Sequence, residues 1–274
     1  MSRLDTIRQF ITKDMAGIEI APWYSPITPK RDGYNCKTVD IFDKQTLIEK
    51  NQNGTSIPDN KIQDIEEVDF VGSATDIADL IPNHGEYDYI VSSHNFEHLP
   101  NPIKFLQGCS TVLNESGIVS MAIPDRRGMF DYYRPRSTTG DLIEAYRENR
   151  VKPTGKQQFD HHGYGANYAG RLVFLQLVQP EFITPNELFA EAYDCWDADT
   201  PATEYADVHC WVFTTMSFEL IMLELRFLGL IDFEVISITS DGGAEFFVHM
   251  KKVSTKMSRE EFYARRRELL IKLS

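Results

Sequence analysis

One strand-helix-strand unit in the middle of the chain constrains its fold more than any other feature. The run Tyr87-Asp88-Tyr89-Ile90-Val91-Ser92 is bulky at consecutive positions, as in a strand covered on both faces. Asn101 as N-cap and Pro102 at the first helical position open a helix in which Leu106, Cys109 and Leu113 recur on one face. Glu115-Ser116-Gly117 then turns the chain into a further strand at 118–123. A crossover of this kind joins parallel strands, so the chain is expected to build an α/β domain on a mostly parallel sheet.

The flanking sequence extends that sheet on both sides. Gly17-Ile18-Glu19-Ile20-Ala21, stopped by Pro22 and a Pro/Gly-rich loop, reads as the first strand, after an amphipathic opening segment at 4–13. Cys36 to Asp40 reads as the second strand, with a helix at 44–50 behind it, and Val68-Asp69-Phe70-Val71 as the third. Between 126 and about 207 the alternation breaks down into an insertion or lid, with helices expected at 139–148 and after the capping box Thr184-Pro185-Asn186-Glu187. The rhythm resumes with a helix at 215–228, where Phe218, Ile221, Met222 and Leu225 keep helical spacing. Strands at 233–239 and 245–250 flank Ser240-Asp241-Gly242-Gly243, a hairpin turn in composition, which makes an antiparallel close to the sheet. A charged helix beginning at the box Ser258-Arg259-Glu260-Glu261 follows the main domain at 254–274.

Composition removes several function classes. With 28 Lys and Arg against 41 Asp and Glu, the net charge is −13, which repels polyanions, and the one dense basic run is Arg265-Arg266-Arg267. Nucleic acid is therefore not expected as a substrate. Cys36, Cys109, Cys195 and Cys210 form no CxxC pair, so neither a structural zinc nor a disulfide framework is expected. No stretch approaches the length of a membrane span, and the first residues lack an apolar leader, which points to the cytoplasm. No GxGxxG follows the first strand, which sets aside a dinucleotide-dependent dehydrogenase.

The stretch from Asp88 through His94, Glu97-His98, Asn101-Pro102 and Gly117 to Ile123-Pro124-Asp125 resembles the fourth-to-fifth-strand region of the class I S-adenosylmethionine-dependent methyltransferases. The resemblance implies a Rossmann-like, seven-stranded α/β fold with a terminal antiparallel hairpin, a helical insertion and a cofactor cleft at the carboxyl ends of the strands. It also implies S-adenosylmethionine as cofactor. Carried over residue by residue, it puts Glu19, Ala21 and Pro22 beside the cofactor's methionine portion and Asp40 on the ribose hydroxyls. A carboxylate suits a vicinal diol because it offers two acceptor oxygens. Ser73 and Ala74 fall at the adenine edge, with serine where the family carries an acid, and Ser92 and His94 line the methionine end. Ala21-Pro22-Trp23 departs from the family's glycine-rich turn.

Acceptor chemistry is expected in the insertion, because loops beyond the carboxyl ends of parallel strands face the cleft. Phe159-Asp160-His161-His162-Gly163 and Asp207-Val208-His209-Cys210-Trp211 each offer imidazoles, and methyl transfer to a hydroxyl needs a base near the oxygen. His161 paired with Asp160 is the first candidate base and His209 the second; packed histidines bonded to backbone are the competing reading. Three histidines with Asp160 and Asp207 lack a familiar ligand spacing, so no metal is expected. Glu97 and His98 read as organisers of the strand-to-helix turn, His98 through backbone contacts. Arg126, Arg127, Arg134 and Arg136 suit either an anionic acceptor or surface ion pairs.

Asp131-Tyr-Tyr-Arg-Pro-Arg-Ser137, Phe159-Asp160-His161 and Val208-His-Cys-Trp-Val-Phe-Thr214 are similar to a bacterial methyltransferase subgroup found as free domains and alongside glycosyltransferases. That similarity implies O-methylation of a small-molecule or saccharide acceptor, with a glycosyltransferase or a second copy of the chain as partner left open. The rival reading is a methyltransferase fold without turnover, serving as a scaffold in glycan assembly; the altered first turn and Ser73 favour it.

Overall fold

The computed structural model describes residues 2–52, 59–168, 171–173, 180–194, 196, 207–240 and 243–274. Helix α1 (Arg3–Ile7) precedes β1 (Gly17–Ile20), β2 (Cys36–Asp40), α2 (Lys44–Gln52), β3 (Phe70–Val71) and α3 (Ile77–Leu80). The central unit is β4 (Tyr87–Ser93), α4 (Pro102–Val112) and β5 (Leu113–Pro124). The insertion contributes α5 (Thr139–Arg147), α6 (Gly155–Gly163), β6 (Ala166–Tyr168), β7 (Arg171–Leu172), β8 (Ile183–Pro185) and α7 (Phe189–Asp194). Helix α8 (Thr215–Phe227), β9 (Phe233–Ser240), β10 (Glu245–Lys252) and α9 (Arg259–Leu273) complete the chain.

Seven strands make one sheet in the order β3-β2-β1-β4-β5-β10-β9. The first five pair in parallel, and β10 runs antiparallel to both β5 and β9. This is the class I methyltransferase arrangement that the sequence predicts, with its terminal hairpin; Asp241 and Gly242 of the expected turn lie outside the described residues.

The bulk of β4 is explained by what covers it. Ile90 joins the main core with Leu106, Val119, Phe218 and Phe246, while Tyr89 and Val91 face a second cluster with Ile7, Ile27, Ala122 and Phe247. A strand buried on both faces has no polar side to alternate with. Asn101 caps α4 through its side-chain oxygen, which accepts from the Lys104 N–H at 3.1 Å, and Pro102 occupies the first turn, as its missing N–H permits. The capping boxes at Thr138, Thr214 and Ser258 start α5, α8 and α9. Helix α9 lies against α8, with Phe262 stacked on Phe227 at 3.7 Å and Arg266 paired to Glu224 at 2.6 Å.

Four expectations are corrected. The box at Thr184 does not open a helix: 183–185 is an edge strand, and α7 starts at Phe189. The insertion is not only helical, since β7-β6-β8 form a small antiparallel sheet within it. The third strand is shorter than the run suggests: only Phe70–Val71 pair with Val39–Asp40, while the Asp69 carboxylate accepts from the Thr38 N–H at 2.9 Å and binds Lys37. Residues 115–117, expected as a turn, are carried in extended form inside β5, and the β4–β5 register shifts there. Cys36, Cys109 and Cys210 are buried free thiols, whereas Cys195 lies outside the described residues. Among the described residues no helix is long and apolar enough to cross a membrane.

Candidate active site

Parallel pairing brings the ends of β1, β2, β3 and β4 to one edge of the sheet, and backbone hydrogen bonds lace the turns beyond them. The Ala21 N–H donates to Val39, Gly72 to Asp40 and His94 to Ala122, at 2.8, 2.8 and 3.0 Å. Ala21, Asp40, Ser73 and His94, chosen from sequence, thus share this edge, with Ser92 one residue inside it beside Ile20. Ala21 and His94 both adopt φ of 49°, the left-handed region in which an L side chain is strained. At Ala21 the chain makes with alanine a backbone turn that glycine makes without strain.

The individual residues differ in how free they are to meet a ligand. Asp40 is buried, its Oδ1 accepts from the Phe42 N–H at 3.1 Å, and burial pushes its carboxyl up to about 6. Ser73 caps a short 3-10 turn by accepting from Thr75, and Ala74 packs into the core. Glu19 is turned away from the edge. Its Oε1 accepts from the Ile27 N–H at 2.5 Å and its Oε2 from the N–H and Oγ1 of Thr28, both at 2.8 Å. With both oxygens so engaged it braces the 27–28 loop, and burial pushes its carboxyl up to about 7.

A strap at 207–214 crosses the end of β5. Asp125 and Phe213 form a parallel bridge, the Cys210 N–H donates to the Glu97 backbone carbonyl at 2.7 Å, and the Trp211 indole donates to the Leu99 carbonyl at 2.6 Å. These bonds deliver His209 to the turn that follows β4. The other wall is the 125–134 turn, where Gly128 lies so close to Gly243 that an added Cβ would stand 2.5 Å from its carbonyl oxygen.

Where the two meet, Nδ1 of His209 lies 2.5 Å from Oδ2 of Asp131, and both side chains are buried. Arg134 completes the group, donating to Asp131 Oδ1 at 2.6 Å and to the His209 carbonyl at 2.8 Å. Burial alone would raise the Asp131 carboxyl and lower the His209 imidazole; their mutual attraction overrides both, holding Asp131 far below its ordinary range and raising His209. The Asp131 carboxylate fixes the ring proton on Nδ1 and leaves Nε2 as the basic nitrogen.

The expected Asp160–His161 pair does not form. Asp160 binds Lys156 one turn away on α6, while Nδ1 of His161 accepts from the His209 backbone N–H at 3.1 Å. That bond places the His161 proton on Nε2, and burial, with the charges of His209 and Arg134, pushes its pKa down to about 3. Neither property suits a base. Asp131, the partner of His209, is not announced by the sequence, because an Asp-x-x-Arg spacing shows only a local ion pair.

His98 also differs from expectation. Its ring meets carboxylates, not backbone, with Nδ1 3.2 Å from Asp207 and Nε2 3.7 Å from Glu97. Glu97 is buried with both carboxylate oxygens lacking a hydrogen-bond partner. Of the arginines, Arg127 forms a bidentate pair with Asp125, Arg126 donates to the Tyr132 carbonyl, Arg134 is buried as above, and Arg136 approaches the Leu273 carbonyl at 3.5 Å.

Residues 7–223 match the family model described as a methyltransferase domain. Similar solved structures include a SAM-dependent methyltransferase from Aquifex aeolicus at 12% identity and a TM-score of 0.43, covering 92% of this chain and 90% of that one. A Pyrococcus horikoshii protein reaches 14% identity and a TM-score of 0.47 over 91% and 89% of the two chains. A SAM-dependent methyltransferase from Methanosarcina mazei gives 13% and 0.44 over 90% and 96%. Among curated proteins, none matches.

Proposed function

The chain belongs to the methyltransferase-domain family, and from that premise we propose that it transfers a methyl group from S-adenosylmethionine to a hydroxyl of a saccharide or glycan precursor, with His209 as the base. The observation that carries this reading is the buried Asp131–His209 pair beside the carboxyl edge of the sheet.

The cofactor, when bound, supplies an electrophilic methyl group on a sulfonium. Several residues fit it. Asp40 offers a buried carboxylate to the ribose diol, and the left-handed turn at Ala21, followed by Pro22, lets backbone approach the methionine portion. Ser73 and Ala74 stand at the adenine edge, and Ser92 and His94 at the methionine end. Glu19 fits only as a brace, its oxygens being taken by Ile27 and Thr28.

On the acceptor side, Nε2 of His209 takes the hydroxyl proton, and Asp131 stabilises the imidazolium that results. A saccharide acceptor is supported by the insertion's exposed aromatic side chains, Tyr133, Tyr164, Phe182, Phe189 and Trp196 among them, whose faces suit sugar C–H groups. The similarity of 131–137, 159–161 and 208–214 to glycan-associated methyltransferases supports the same class and a glycosyltransferase or a second copy as partner.

Transfer of labelled methyl from S-adenosylmethionine to a panel of saccharide acceptors tests the reading. His209→Ala should lose rate by about 100-fold or more while still binding cofactor; undiminished rate in that variant would remove the base. A second reading, a fold that scaffolds without turnover, is favoured by the full engagement of Glu19. Calorimetry separates them, since a protein that binds no S-adenosylmethionine can only be the scaffold.

A further inference from the structure

The turn after β4 holds a carboxylate that no proton donor meets. Glu97 is 1% exposed, and neither Oε1 nor Oε2 has a hydrogen-bond partner. Ring nitrogens surround it instead. From Oε1, Nε2 of His98 lies at 3.7 Å and Nε2 of His209 at 3.9 Å, with Nδ1 of His94 at 3.7 Å.

Each of these rings has a carboxylate at its other nitrogen: Asp207 at 3.2 Å for His98, Asp131 at 2.5 Å for His209 and Glu245 at 3.0 Å for His94. At His209 and His94 the carboxylate is hydrogen-bonded and draws the ring proton to its own side, so the inner nitrogen presents a lone pair, whereas Nδ1 of His98 has no hydrogen-bond partner and Asp207 stands only at ion-pair distance from it. Acceptor atoms then converge on one buried point. Such atoms repel one another, and a positive charge placed between them reverses the sign of the interaction.

We propose that Glu97, His98 and His209 bind a divalent first-row transition-metal ion. Their ligand atoms lie within 4.8 Å of one another. An ion about 2.0–2.2 Å from each would draw them to separations of roughly 3–3.7 Å, a change within reach of side-chain rotation. Two imidazoles and one carboxylate match the preference of zinc, cobalt, manganese and iron, and three protein ligands leave positions open. Asp131 orients the His209 imidazole from behind, and Asp207 adds a negative charge beside His98. The sequence does not announce this set, because Glu97 and His98 are neighbours while His209 arrives with the strap.

On the reading of this cleft as a methyl-acceptor site, the open positions take one hydroxyl oxygen of the acceptor, or two adjacent ones; binding of the ion itself does not depend on that reading. Nε2 of His209 cannot hold an ion and accept a proton together. His209 is therefore the base of the metal-free protein and a ligand of the ion-bound one, and the two states exclude each other at that nitrogen.

Titrating the chelator-treated full chain with cobalt(II) chloride should produce a saturable visible absorption band, and calorimetry with zinc should give one ion per chain. Glu97→Gln, which keeps volume, should weaken cobalt binding at least about tenfold, and Asp131→Asn by about 10–100-fold. His162→Ala, outside the cluster, should leave it unchanged. Circular dichroism and melting establish that each variant is folded, and His98→Gln replaces Glu97→Gln should the latter not fold. Absence of saturable binding, or binding retained in the folded ligand variant, overturns the proposal and leaves a proton as the occupant. S-adenosylmethionine titrated without metal reports separately on the methyltransferase reading.

Discussion

The Asp131 carboxylate lies 2.5 Å from Nδ1 of His209, two buried groups joined across 78 positions of the chain. Asp131→Asn keeps the volume but no longer selects the tautomer that leaves Nε2 basic. Methyl transfer should fall by on the order of 100-fold or more, with affinity for S-adenosylmethionine little changed. A variant that keeps its rate in the labelled-methyl assay removes Asp131 from the chemistry.

Asp40 sets an expected pH dependence of cofactor affinity. Burial raises its carboxyl to about 6, so it is protonated below that pH and ionised above it. An ionised carboxylate can accept from both hydroxyls of a ribose diol, while the protonated form loses part of that capacity. Affinity measured by calorimetry should therefore rise as pH increases through about 6, by several-fold, and Asp40→Asn should bind more weakly at pH 8 with that step removed. The same step surviving in Asp40→Asn would assign it to another group.

Ala21→Gly should stabilise the protein. Alanine at φ of 49° carries a cost of about 1–2 kcal/mol that glycine avoids, and this outweighs the roughly 0.5–1 kcal/mol of entropy that glycine adds to the unfolded chain. A urea midpoint that moves upward, at unchanged slope, is the expected result; a downward shift would show that the alanine methyl packs usefully against the core.

Gly17→Ala should do the opposite. A Cβ there would stand 1.8 Å from the Tyr89 ring, which is wholly buried on the neighbouring strand. The ring must move, at a cost of about 1–3 kcal/mol or more. Thermal unfolding should show a melting temperature several degrees lower; an unchanged one would mean that the second cluster repacks freely.

The fold was legible wherever local chemistry and periodicity agree. Asn101-Pro102 and the bulky run Tyr89-Ile90-Val91 of β4 each speak through neighbours in the chain, and the structure follows them. The box at Thr184 misled because its residue types also suit an edge strand, and competition with the small β7-β6-β8 sheet decides between the two. Asp160 was misassigned for a related reason: adjacency to His161 in sequence puts the two on different sides of α6, where Lys156, four residues back, is the nearer partner.

What the sequence determined by itself is the parallel sheet, its closing hairpin and the edge that carries Ala21, Asp40, Ser73 and His94, because strand order and burial follow from patterns within reach of a few residues. Tertiary structure alone decided which histidine is oriented and by what. The 207–214 strap carries His209 to Asp131 and to Glu97, and the desolvation that makes those charges interact strongly exists only once the strap, the 125–134 turn and the end of β4 have closed over them.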